Sequence, residues 1–309
     1  MSSTPWVTFC LSTGRCGTQW LAAAMKEVYG DLVIVEHEPI GAEWNPKRYL
    51  RRPDLAQEML ATEPIRSHVA RIEQILETRS YFEAGWTAFA AIPALRAQFG
   101  ARLRILRLVR HPVPTALSLL THNFHCPERR NSRFIRLAQL EPTDAGIHLK
   151  SYVGRWAEMN PFERCLYQWT EIHLWAEELC REHPEIPMLT LRTEEMFDPA
   201  SDALARLRLF FGLPDRHPGL RGRVEARVDS YHRKTPIRAD WRRINDHKVT
   251  GDLARRLGYD IEDVNPRTLL KRYRLSLFGV YAGRVRRKIH AVRARWKRRE
   301  PHGPASQSP

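Results

Sequence analysis

Short apolar runs alternate along the chain with longer stretches in which apolar residues recur every third or fourth position. The runs lie in segments that begin at Trp6, Leu32, Tyr81, Arg102 and Pro187. Short apolar runs are typical of buried strands, and the longer spacing is typical of helices. Because strands alternate with helices, we expect an α/β fold in three layers, with a mainly parallel central sheet flanked by helices. Ligands of such sheets lie at the carboxyl ends of the strands.

Helical spacing is clearest after Gly17, from about Pro114, from Asn160 to Glu178, and before Gly212. By contrast, residues 125–154 are polar and show no regular pattern. An insertion of this length inside a compact domain is usually functional, so we expect it to shape a binding site.

The positive charge of the chain is concentrated near its C-terminal end. The formal net charge is +15, but 13 of the 50 Lys and Arg residues lie between Arg267 and Glu300, where only one residue is acidic. Apolar residues recur there at helical spacing: Leu270, Tyr273, Leu277, Tyr281, Val285, Ile289, Val292 and Trp296. We expect a main domain at 1–265, a basic amphipathic helical extension at 266–300 and a disordered tail at 301–309. The extension fits an anionic membrane surface, a protein partner or the body of the protein, whereas nucleic acid is the least favoured partner.

The cysteines and the hydropathy indicate a cytoplasmic protein. The five cysteines are scattered and lack the spacing of a zinc site, which favours free thiols in a reducing compartment and no metal. No apolar stretch reaches the roughly 18 residues that a membrane span needs. Peripheral contact with the inner membrane face, through the basic extension, is the alternative.

The sequence STGRCGTQWL, from Ser12 to Leu21, is typical of a phosphate-binding loop between a strand and a helix. Gly14 and Gly17 permit a tight turn, and the start of a helix offers N–H donors and a positive dipole end to an anion. We call residues 12–19 the first cradle. Compared with a Walker A loop, Thr18 replaces the phosphate-binding Lys and Gln19 replaces the metal-binding hydroxyl, so the parts for metal-assisted hydrolysis of a triphosphate are missing.

A second anion site is predicted where the strand from Arg102 ends. Arg110 stands at the strand end and Ser118 follows eight residues later in a helical stretch. If the chain turns back after His111, a guanidinium and a hydroxyl converge on one anion. We call Arg110 and Ser118 the second cradle. Two cradles in one domain predict a ligand with phosphates at both ends.

These motifs resemble those of the P-loop-like sulfotransferases that use 3′-phosphoadenosine 5′-phosphosulfate (PAPS). STGRCGTQWL is similar to their 5′-phosphosulfate loop, and RHPVPTALS from Arg110 matches their 3′-phosphate motif. LRTEEMFDPASDALARLRLFFGLP and VTGDLARRLGYD are similar to two later stretches of the family. The resemblance covers residues 6–260, and it implies a catalytic domain that converts PAPS to adenosine 3′,5′-bisphosphate (PAP) without a metal.

The resemblance also implies the nucleotide-binding residues. Within the first cradle, it places the 5′-phosphate against the backbone of Arg15, Cys16, Gly17, Thr18 and Gln19, with the side chains of Arg15 and Thr18 as further donors. Arg110 and Ser118 would bind the 3′-phosphate. Trp20 aligns with a Trp that stacks on adenine, although a core position is equally compatible with its place in the helix. Arg233, which Lys234 follows, is a weak match to a late basic contact with the 3′-phosphate.

Two departures from the family pattern concern catalysis. Arg15 stands where many members have Lys, so its predicted role is charge stabilisation rather than proton donation. Gly85 stands at the usual catalytic His, so another group must act as the base. The candidates are Glu36, His37, Glu38 and Glu83; Glu38 or His37 is favoured, with Glu83 next. Strand alternation would place Glu36 and Glu38 on one side and His37 on the other.

The predicted function is therefore transfer of a sulfuryl group from PAPS to a hydroxyl or amine. The acceptor is open among carbohydrates, lipids and other small molecules. One alternative is a P-loop nucleotide or small-molecule kinase. Another is a non-enzymatic protein that binds a membrane or nucleic acid through its basic tail.

Overall fold

The computed structural model describes residues 4–126, 132–216 and 238–275. These residues contain a sheet with the strand order β2-β3-β1-β4-β5, in which every pairing is parallel. The strands are β1 (Val7–Leu11), β2 (Val33–Glu36), β3 (Ser80–Glu83), β4 (Leu103–Val109) and β5 (Met188–Arg192). The predicted α/β class and parallel sheet are confirmed.

Helices connect the strands. They are α1 (Thr18–Tyr29), α2 (Pro46–Tyr49), α3 (Ala56–Ala61), α4 (Ile65–Ile75), α5 (Ile92–Phe99), α6 (Pro112–Thr121), α7 (Arg133–Ala138), α8 (Pro161–Glu182), α9 (Thr193–Met196) and α10 (Ala203–Phe211), followed by Lys248–Arg256 and Pro266–Tyr273. The α6 helix begins two residues before the predicted Pro114, because Pro112 suits the first helical position and His111 Nδ1 accepts a hydrogen bond from Val113 N. The insertion predicted to be irregular contains α7.

The sheet has a hydrophobic core on each face. Alternate residues of β1 show this: Phe9 belongs to the larger core, with α4, α5, α6 and α8, while Cys10 belongs to the smaller core, with α1 and α10. All five β1 residues are buried, as expected for a parallel strand covered on both faces. The predicted three layers are therefore present.

The chain changes direction in the sheet between β1 and β4. After β1 it builds β2 and β3 on one side, and β4 and β5 then extend the other side. The α1 helix after β1 lies on the smaller core, whereas α6 after β4 lies on the larger one. A crevice forms where connections leave neighbouring strands toward opposite faces, and ligands of open α/β sheets bind there.

The beginning of the predicted extension packs on the body of the protein. In the helix Pro266–Tyr273, Leu269 and Tyr273 are buried and belong to the larger core. The other residues of the predicted extension and the predicted tail lie outside the described residues, so the division at 265 stays a prediction. No helix among residues 4–126, 132–216 and 238–275 combines the length and apolar character that crossing a bilayer requires.

Candidate active site

The first cradle has an unusual backbone. Gly14, Arg15 and Gly17 have φ angles of 72°, 61° and 84°, all in the left-handed region. A Cβ atom at Gly14 would lie 3.1 Å from Nε1 of Trp86, whose indole covers this turn. Glycine is thus required at position 14 both for the turn and for the close approach of Trp86.

The start of α1 is available to an anion. Gly17 occupies the N-cap position, no side chain caps the helix, and its first turn contains no acidic residue. The first N–H groups of a helix have no partner within it, and a dipole adds positive potential there. A phosphate or phosphosulfate group is well suited to this position.

The side chains of the first cradle point in different directions. Cys16 is fully buried and its Sγ lies 3.3 Å from Gly14 O, where burial raises the pKa of the thiol. Its backbone carbonyl accepts a hydrogen bond from Thr193 Oγ1, at 2.9 Å, which ties the loop to α9. Gln19 is exposed. Cys16 can therefore offer a ligand its backbone, but not a thiolate.

The structure brings the second cradle against the first. Arg110 Nη1 donates a hydrogen bond to Arg15 O, at 2.9 Å, and Arg15 Nε donates to Ser118 Oγ, at 3.1 Å. Arg110 and Ser118 are 9% and 6% exposed, so both groups are largely shielded from solvent. Both residues of the second cradle thus contact Arg15 of the glycine loop, whereas their convergence on one anion stays a prediction.

Distant segments fix the turn that carries Arg110. Trp169 Nε1 donates to Arg110 O at 3.0 Å, and His111 N donates to Glu194 Oε1 at 3.2 Å. Glu194 Oε2 in turn accepts from Tyr259 OH at 2.8 Å. Glu194 and Tyr259 belong to LRTEEM and LGYD, the later stretches on which the resemblance rests. Their role in this structure is to hold the second cradle in place.

Tyr273 is a site residue that the sequence did not reveal. Its hydroxyl accepts a hydrogen bond from Arg110 Nη2, at 3.0 Å, across 163 residues of sequence. In the sequence, Tyr273 is simply one of the apolar positions of the basic helix. Only the docking of that helix places it beside Arg110.

Glu38 occupies the space that Gly85 leaves open. A Cβ atom at position 85 would lie 2.9 Å from Glu38 Cγ. Strand β2 ends at Glu36, and Glu38 has a φ of 51°. The expectation that alternation places His37 opposite Glu38 is wrong, because the strand has ended: His37 Nε2 lies 3.9 Å from Glu38 Oε1. His37 Nε2 also lies 3.2 Å from Thr18 Oγ1, at the start of α1.

The surroundings of Glu38 and His37 favour their neutral forms. Burial raises the pKa of Glu38, nearby Glu83 raises it further, and a hydrogen bond from the Trp86 backbone and the charge of Arg15 partly oppose this. Burial, together with Arg15, lowers the pKa of His37. The side chains of His37 and Glu38 remain 30% and 25% exposed, so both can be reached from solvent.

Glu83 and Glu36 have fixed partners. Glu83 is fully buried; Trp44 Nε1 donates to its Oε1 at 2.8 Å, and His68 Nε2 lies 2.7 Å from its Oε2. Glu36 accepts hydrogen bonds from Arg71 and Tyr81, which lower its pKa although burial opposes them. Of the four predicted bases, His37 contacts the first cradle through Thr18, and the charge of Arg15 acts on both His37 and Glu38.

The remaining predicted nucleotide-binding residues are Trp20, which lies in the core, and Arg233. Trp20 is 5% exposed, belongs to the smaller core and packs on Phe197 with the ring centroids 4.8 Å apart. Arg233 and Lys234 lie outside the described residues. Within the described part of the chain, no group of three or more His, Cys, Asp or Glu side chains is arranged to hold a metal ion.

Comparison with known proteins gives structural likenesses alone. No protein-family model matches the chain, and neither does any curated protein. The chain resembles solved sulfotransferases. The sulfotransferase domain of the curacin biosynthetic pathway is 15% identical with a TM-score of 0.47, over 84% of this chain and 99% of that domain. The domain of the Synechococcus PCC 7002 olefin synthase is 15% identical with a TM-score of 0.48, over 84% and 97%. A mouse sulfotransferase complexed with PAP is 15% identical with a TM-score of 0.47, over 86% and 91%.

Proposed function

We propose that the protein is a sulfotransferase that transfers the sulfuryl group of PAPS to a hydroxyl or amine. One observation carries the proposal: Arg110 and Ser118 both bond to Arg15 of the glycine loop, at 2.9 and 3.1 Å. Two separate motifs of the resemblance therefore meet at one place in the fold. A nucleotide with phosphates at both ends fits this arrangement.

The two cradles divide the nucleotide between them. The backbone of residues 15–19 and the start of α1 receive the 5′-phosphosulfate, because helix N-termini favour anions. Arg110 and Ser118 receive the 3′-phosphate, for which a guanidinium and a hydroxyl are suitable donors. The Arg15 guanidinium stabilises the charge that develops on the departing phosphate oxygen, without giving up a proton.

The reaction moves one group and one proton. The acceptor oxygen or nitrogen forms a bond to sulfur, and the bond between sulfur and the phosphate oxygen breaks, which leaves PAP as the product. The acceptor loses its proton as the new bond forms, so a base must lie close to it.

We assign the base to Glu38. It lies beside Gly85, which stands where many members of the resembled family have a catalytic His, and it is reachable from solvent. Its raised pKa makes it a stronger base than an ordinary carboxylate. His37 lies between Glu38 and Thr18, and we assign it to positioning. Glu83 is enclosed by Trp44 and His68, which suits a structural role.

Calorimetry with two nucleotides tests the nucleotide class. We expect PAP to bind in the absence of Mg²⁺, and ATP with Mg²⁺ to bind much more weakly, because Thr18 and Gln19 replace the Lys and hydroxyl of a Walker A loop. Tight binding of ATP with Mg²⁺ and no binding of PAP would favour the kinase alternative. Incubation of a cell extract with labelled PAPS then tests transfer and reveals whether the acceptor is a carbohydrate, a lipid or another small molecule.

A further inference from the structure

The helix Pro266–Tyr273 is a well-formed part of the body. Asn265 caps its start, because its Oδ1 accepts hydrogen bonds from Arg267 N and Thr268 N at 3.0 and 3.1 Å. Leu269 and Tyr273, one helical turn apart, are 5% exposed each and pack in the larger core beside α6. The position of the Tyr273 ring is therefore fixed by packing.

The Arg110 guanidinium is shared between the glycine loop and this helix. One terminal nitrogen donates to Arg15 O and the other donates to Tyr273 OH, at 2.9 and 3.0 Å. The Tyr273 hydroxyl thus uses its oxygen as an acceptor, and its own hydrogen has no acceptor among the residues that the structure describes. A phenol hydroxyl can accept and donate at once, so this hydrogen can be given to a further group beside Arg110.

We propose that Tyr273 donates a hydrogen bond to the 3′-phosphate, so that the C-terminal extension completes the nucleotide site. This inference rests on the proposed function. A phosphate has several acceptor oxygens, and a hydrogen bond to a charged group is stronger than one between neutral groups. Arg110, Ser118 and Tyr273 then supply a charge and two hydroxyls from the turn after β4, from α6 and from the extension.

Nucleotide binding and docking of the extension become coupled by this contact. If the docked helix strengthens binding of the 3′-phosphate, the bound nucleotide must stabilise the docked helix by the same factor. PAP should therefore slow proteolytic cleavage after the basic residues that follow Asn265. Adenosine 5′-phosphate, which lacks the 3′-phosphate, should not protect them.

The substitution Tyr273→Phe tests the contact, because it removes the hydroxyl and keeps the ring in the core. We expect PAP to bind roughly tenfold more weakly, as for the loss of one hydrogen bond to a charged group. The affinity for adenosine 5′-phosphate should stay the same. Tyr167→Phe is the matched control, since Tyr167 is also buried in the larger core but belongs to α8.

A second variant separates the hydroxyl from the docking of the helix. Leu269→Ala keeps Tyr273 but removes packing that holds the helix, so it should weaken PAP binding and increase cleavage of the extension. If wild type binds PAP and Tyr273→Phe binds it with the same affinity, the inference is overturned. It is also overturned if Tyr273→Phe loses affinity for PAP and for adenosine 5′-phosphate equally. If the wild-type protein itself does not bind PAP, the proposed function fails.

Discussion

The two cradles are built in different ways, although both follow neighbouring strands of the same sheet. The first cradle is a continuous stretch of chain whose shape depends on Gly14 and Gly17. The second is assembled from β4, α6 and the C-terminal helix, and Trp169 holds its turn in place. In the proposed function the first cradle serves the chemistry, and the second serves affinity for the nucleotide. Substitutions in the two cradles should therefore act mainly on different constants, turnover for the first cradle and affinity for the second.

Glu38→Gln should have the largest effect, on turnover. The amide keeps the shape but cannot accept the proton of the acceptor, so we expect kcat to fall by about 10²- to 10⁴-fold with saturating PAPS. The affinity for PAP should change little. Turnover is measured as transfer of labelled sulfate to the acceptor found in the extract.

The exposed Glu58→Gln is a matched control for this substitution, since Glu58 lies on α3 and bonds to Arg48. Retention of wild-type turnover by Glu38→Gln, with loss in Glu83→Gln and a preserved fold, would transfer the role of base to Glu83.

Arg110→Ala should affect binding instead. It removes the charged donor of the second cradle, and we expect affinity for PAP to fall by about 10²-fold, as for hydrogen bonds to charged groups. The affinity for adenosine 5′-phosphate should fall much less. Calorimetry measures both, with the exposed Arg52→Ala as control. Equal losses for the two nucleotides would place Arg110 outside the 3′-phosphate site.

The pH dependence of catalysis should follow the ionisation of Glu38. Glu38 acts as a base only when ionised, so kcat/KM should rise with pH through its raised pKa and then level off. A carboxyl whose pKa is raised by folding adds stability below that pKa and loses it as the pH rises. Glu38→Gln should therefore have a higher Tm than wild type at neutral pH, and this advantage should vanish in acid. An unchanged difference in Tm across the pH range would contradict the assignment of the raised pKa.

Ser118→Ala should have the smallest effect. It removes one hydroxyl while the Arg110 guanidinium stays, and we expect a loss of affinity for PAP of about tenfold, as for one hydrogen bond to a charged group. The matched control is Ser80→Ala, because Ser80 bonds to Trp6 N at the opposite end of the sheet. A loss of affinity as large as that of Arg110→Ala would mean that the Ser118 hydroxyl contributes as much to binding of the 3′-phosphate as the Arg110 guanidinium does.

The sequence predicted the features that depend on residues close together in the chain. The order of strands and helices and the glycine loop between β1 and α1 are local patterns, and the fold reproduces them. The fit of Glu38 against Gly85 depends on the pairing of β2 with β3 and on a left-handed residue after β2, which alternation does not anticipate. Tyr273 is 163 residues from Arg110, and its apolar spacing hides the use of its hydroxyl. The partners of Glu83 likewise come from separate helical segments.

The hydrogen bond from Arg15 to Ser118 makes the two cradles one thermodynamic unit. In the proposed function the Arg15 guanidinium stabilises the departing phosphate oxygen, and the same group donates a hydrogen bond to Ser118, so a change at either residue alters the other. The free-energy effects of Arg15→Ala and Ser118→Ala on PAP binding should consequently not add, and a double-mutant cycle should give a coupling of about 0.5–3 kcal/mol. A sulfuryl donor that lacks the 3′-phosphate should then show slower sulfuryl transfer as well as weaker binding.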